Sequence, residues 1–76
     1  MEITTHEFKK FEQEIQVAFL NANKQKREAI IKPILTNILQ YKNANNIVDK
    51  FFVNRELDKP ELLKIWKAVK NEHTSN

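Results

Sequence analysis

The chain contains no cysteine and no glycine, only two prolines and a single tryptophan. It has no apolar run approaching the roughly eighteen residues that a membrane-spanning helix needs. Each absence removes a class of function. Without cysteine there is no disulfide framework, no thiolate metal site and no thiol nucleophile, and nothing argues for an oxidising compartment, so a cytoplasmic location is expected. Without glycine, tight hairpin turns, phosphate-cradling loops and close backbone approach to a cofactor are all disfavoured, whereas helices need none. The opening residues Met1 to Glu7 carry acid where a secretory signal needs a basic stretch followed by an apolar one, so neither export by that route nor a membrane span is expected.

What is present reads as helix. At 76 residues the chain is near the lower size limit for a core without staples, and a modest stability, on the order of a few kcal/mol, is expected. The sequence divides into one helical domain over 1–72 and a disordered tail over 73–76. Thr4 and Glu7 form a capping box, with Ile3 and Phe8 at the staple positions, and Phe8, Phe11, Ile15, Ala18, Phe19 and Ala22 recur at intervals of three and four. This predicts a helix over 5–21, with Lys9, Glu12, Gln13 and Gln16 turned away from the core.

Asn23 is a good N-cap for a second helix, whose stripe Ile30, Ile31, Ile34, Leu35, Ile38 and Leu39 is wide enough to be covered from two sides. Pro33 lies inside it and removes the hydrogen bond to the Ala29 carbonyl, which predicts a kink or a restart near Lys32. The asparagine-rich run 41–46 reads as a connection. Ile47, Val48, Phe51 and Phe52 give a short third helix ending near Asn54. Asp58 is the expected N-cap of the fourth helix, with Glu61 completing a capping box, Pro60 in the first turn and Leu57 and Leu62 as the staple. Leu62, Ile65, Trp66 and Val69 are its core stripe. The expected fold is an all-α bundle of about four helices.

The residues of catalysis are sparse. His6 and His73 lie near opposite ends, Ser75 has no evident partner, and Glu12 and Glu14, two apart on a helix, face different sides and do not form a dyad. The two histidines do not have the i, i+4 spacing of a helical metal site, and the acidic stretch Asp49, Glu56, Asp58 and Glu61 lacks the glycine of a calcium loop. No enzyme activity, metal, cofactor or small-molecule substrate is expected.

Binding of another macromolecule is the better reading. After each helix turns its stripe inward, Val17, Leu20, Ile31, Tyr41, Val53 and Leu63 flank it, and so small a core cannot cover them all, which points to a protein interface or a homodimer. Phe51, Phe52 and Val53 strengthen this by spanning more than half of a helix's circumference. The alternative is a nucleic-acid-binding regulator. The net charge of +3 is concentrated in Lys24, Lys26, Arg27 and Lys32 and in Lys59, Lys64, Lys67 and Lys70. Lys24, Lys26, Arg27, Lys32, Lys64, Lys67 and Lys70 are its expected contacts, with helices three and four imitating a helix-turn-helix. Against it, the 54–58 connection carries two acids and no glycine, and the outward face lacks the arginine, glutamine and asparagine mixture that reads bases. A membrane-surface role would spend the Ile30 to Leu39 stripe that the core requires. Lysine far outnumbers arginine and asparagine and isoleucine are frequent, the bias of AT-rich genomes such as those of many bacteria and phages.

Overall fold

The chain, described over residues 2–74 by a computed structural model, is an all-α bundle of four helices: α1 (Thr5–Asn21), α2 (Lys24–Ile38), α3 (Ala44–Phe51) and α4 (Lys59–Thr74). Its radius of gyration is 11.7 Å, close to the ~11 Å expected of a compact chain this long. No described residue has a positive φ, in keeping with a chain that connects its helices without glycine.

The start of α1 follows the expected chemistry. The Glu7 amide donates to Thr4 Oγ1 at 3.1 Å and the Thr4 amide donates to Glu7 Oε1 at 3.2 Å, closing the capping box. Ile3 and Phe8 pack against the core. Ile15 and Ala18 are fully inside, and Phe8 stacks on Phe51 of α3 with ring centroids 5.0 Å apart. Glu12 and Gln16 are not simply turned to water as expected. Both accept from Asn54 Nδ2, at 3.1 and 3.2 Å, and so tie the α3–α4 connection to α1.

The two-residue turn Ala22-Asn23 folds α2 back along α1, and Asn23 Oδ1 caps α2 by accepting from the Lys26 amide at 3.0 Å. α2 packs against both α1 and α4, which cover its wide stripe from two sides except at Ile30, 46% exposed. Ile31, Ile34, Leu35 and Ile38 are buried and Leu39 half-buried. Ile31 therefore belongs to the core and not to the flanking surface. α2 does not restart at Lys32: it runs without a break through Pro33. Pro33 and Ala29 are both exposed, so the carbonyl that loses its amide partner lies in a solvent-accessible stretch of the helix. One turn on, the Thr36 hydroxyl adds a 2.8 Å bond to the Lys32 carbonyl.

The connection after α2 is shorter than expected, since α3 begins at Ala44 and takes Asn45 and Asn46 into its first turn. α3 also ends sooner, at Phe51, which is buried, while Phe52 is half-buried and Val53 is 79% exposed. In α4 the Asp58 cap forms, Oδ1 accepting from the Glu61 amide at 3.2 Å, and Leu57 and Leu62 are both buried. The Glu61 carboxylate, expected to complete a capping box, is bound to Arg27 instead. Leu62, Ile65, Trp66 and Val69 form the inward stripe as expected. α4 continues through His73 and Thr74, two residues into the expected tail; Ser75 and Asn76 lie outside the described residues.

Candidate interaction surfaces

The α1–α2 hairpin sets two rows of side chains facing each other. α1 supplies Glu14, Val17, Ala18 and Asn21, at the three- and four-residue steps of one helix face, and α2 supplies Lys26, Ile30 and Ile34, each one turn apart. Where the rows meet, Val17 and Ile30 remain 47% and 46% exposed, above the buried Ala18 and Ile34. The result is an open groove. One hollow of about 500 Å3 lies toward Lys10 and Gln13. A second lies toward Asn21, Asn23 and Lys26, and the two share Glu14, Val17 and Ile30. Covering the remaining surface of Val17 and Ile30 would contribute roughly 1 kcal/mol each.

A separate apolar hollow lies between α3 and α4, lined by Phe52, Lys59, Pro60 and Leu63, with Leu63 39% exposed. It shares no lining residue with the groove. The expected interface residues are thus divided. Val17 lies in the groove and Leu63 in the second hollow, while Leu20 (62% exposed) and Val53 are exposed but line neither. Tyr41 does not belong among them, because it is 5% exposed. Its ring packs in the core and its hydroxyl donates to Glu7 Oε2 at 3.2 Å, which satisfies the polar tip inside the fold. Ile30 is the groove residue that sequence reasoning assigned to the core. Val17 and Ala18 of α1 line the same groove, and they leave Ile30 46% exposed.

The basic residues are divided as well. Arg27 is not available as a nucleic-acid contact: Nε and Nη2 bind the two oxygens of the buried Glu61 carboxylate at 2.7 and 2.6 Å, and Nη1 donates to the Ala22 carbonyl at 3.0 Å. The guanidinium also lies 5.3 Å from the centre of the Phe19 ring. The hydrogen bond to Glu61 holds the Arg27 pKa above its ordinary value against the opposing effect of burial. Lys32 pairs with Glu72 at 3.2 Å, and Lys70 lies 5.4 Å from the centre of the Trp66 ring. Lys24, Lys26, Lys64 and Lys67 are exposed. Because Arg27 meets Glu61 near the start of α4 and Lys32 meets Glu72 near its end, α2 and α4 run in the same sense.

Two other titrating groups are coupled. The Glu7 carboxyl is held below the usual carboxylate range, mainly by the Thr4 amide and hydroxyl and further by the Tyr41 hydroxyl, while burial opposes the shift. The Tyr41 phenol is raised by burial first and then by the Glu7 charge and hydrogen bond. These interactions anchor the first turn of α1.

His6 and His73 are exposed on α1 and α4. Among the described residues no group of three or more His, Cys, Asp or Glu is placed to hold a metal ion, and no helix is long and apolar enough to cross a membrane. Ser75 lies outside the described residues. No protein-family model, curated protein or solved structure matches the chain.

Proposed function

We propose that this protein is a non-enzymatic regulatory or inhibitory module that acts in the cytoplasm by docking a protein partner in the α1–α2 groove. The observation that carries this reading is the continuity of the groove: Val17 and Ile30, both about half exposed, sit side by side at its centre with polar residues at its rim. Apolar side chains scattered singly are ordinary, but adjacent ones rimmed by polar groups are the anatomy of an interface.

The rim argues for a different protein over a second copy. Lys10 stands at one end of the groove and Lys26 at the other. A two-fold axis through the centre would bring the Lys10 end of one copy onto the Lys26 end of the next, like charge on like charge.

The test is capture by the tagged full chain from nuclease-treated lysate of its source, beside a Val17→Asp, Ile30→Asp variant whose helicity is checked. A discrete protein retained by the native chain and lost from the variant supports the groove. Equal capture by both removes it, and recovery of nucleic acid in place of protein favours the lysine-based alternative. A concentration-dependent dimer abolished by the same variant would replace the foreign partner with a second copy.

A further inference from the structure

The acids and bases of α4 are sorted by face. Over 58–74 the acids are Asp58, Glu61 and Glu72. Glu61 and Glu72 turn toward α2, where they bind Arg27 and Lys32, and Asp58 caps the helix while also acting on the Arg27 charge. Lys59, Lys64 and Lys67 are exposed, and among the described residues none of the three takes part in an ion pair. The outward side of α4 is therefore cationic with no acid interleaved.

That side also holds the hollow of Phe52, Pro60 and Leu63. Lys59, Leu63 and Lys67 are one turn apart along a single row, and Pro60 and Lys64 form the adjacent row. An apolar recess thus has ammonium groups before and after it on the helix.

We propose that the outward face of α4 is a second docking surface, for an acidic amphipathic segment of a protein partner. An apolar side chain of the segment enters the Phe52, Pro60 and Leu63 hollow, and its carboxylates meet Lys59, Lys64 and Lys67. Charge complementarity identifies this occupant. A phosphate backbone would use the lysines but leave the apolar recess uncovered, and an anionic membrane surface calls for a longer apolar face than one turn around Leu63. This surface is independent of the α1–α2 groove, so either can fail alone.

The test is a titration of the isotope-labelled full chain, followed by amide chemical shifts. The probe is a synthetic helix of about three turns, with leucines at i, i+3 and i+4 and glutamates elsewhere. Shifts at Phe52, Lys59 and over 61–67 are expected, with affinity falling about fivefold or more between ~50 and ~200 mM salt. Lys64→Glu with Lys67→Glu should weaken binding about tenfold or more. Both lysines are exposed, so the variant should keep its melting temperature, and Leu63→Asp supplies a second lesion in the recess. The proposal is overturned if a lysine-for-glutamate version of the probe binds equally well. Shifts confined to the Val17 and Ile30 groove overturn it too, as does a response of the same amides to duplex DNA or phosphatidylserine vesicles but not to the acidic helix.

Discussion

Replacing Trp66 by alanine should come close to unfolding the protein. Trp66 is 3% exposed and sits in the α4 stripe with Leu62, Ile65 and Val69, all buried. Truncation removes the largest side chain in the sequence from a core that can relax only partly, a change that costs about 3 to 5 kcal/mol. A core this small puts the chain at the low end of the usual range, about 4 kcal/mol in total. Unfolding entropy scaled to its length converts each kcal/mol into about 6 °C of melting temperature, so the loss should be about 20 to 30 °C. Trp66→Phe, which keeps most of the buried ring, should cost roughly 1 to 2 kcal/mol and fall in between. Far-UV circular dichroism during heating measures the shift. The native protein supplies a second readout, because its sole tryptophan should emit as a buried indole and move to the red on unfolding. A melting temperature for Trp66→Ala within about 5 °C of the native one, or native emission typical of an exposed indole, would refute the packing described above.

Pro33→Ala should stabilise the protein by about 1 to 2 kcal/mol in urea unfolding, because it restores the amide partner of the Ala29 carbonyl in an exposed stretch of an unbroken helix. A loss would show that the proline sets a bend the core requires. Asn23→Ala and Asp58→Ala should each cost about 1 kcal/mol through a lost cap. Asn43→Ala should cost far less in the same assay, since Asn43 makes no side-chain cap bond and its Oδ1 is buried with no partner among the described residues. The raised phenol of Tyr41 contributes stability that is complete below the ordinary tyrosine range and is lost as pH rises through its folded value, so Tyr41→Phe should flatten the alkaline limb of a stability profile above pH ~10. The lowered carboxyl of Glu7 acts in the opposite direction: its contribution is present above the ordinary carboxylate range and lost as pH falls below it, and Glu7→Gln should flatten that acid limb.

The helices were legible because their signals are local. A capping box at Thr4, an N-cap at Asn23 and another at Asp58 each lie within a few residues of the structure they start, and the apolar periodicity names the inward stripes directly. What local pattern does not carry is which neighbour covers which side chain. Ile30 fits the α2 stripe as well as Ile31 does, yet it is left exposed in the groove between α1 and α2. Tyr41 looked like a surface aromatic because its hydroxyl partner, Glu7, is distant in sequence. Glu61 satisfied the pattern of a capping box, but an Arg27 fork offers a carboxylate more than one amide does, two parallel charged bonds in a buried setting. The same pairing withdrew Arg27 from the basic cluster. Charge totals by segment therefore gave the wrong inventory of available cations, and only the fold sorts paired from exposed.

If a protein partner sits in the α1–α2 groove as proposed, site-specific photo-crosslinking detects that contact in place. A photoreactive side chain would be placed at Ile30 in the groove, and at exposed Asn45 on α3 as the reference, with irradiation in cells of the source. A discrete, nuclease-resistant protein adduct from position 30 and not from position 45 is the predicted result. Equal adducts from both positions, or adducts from position 30 that consist of nucleic acid, would contradict it.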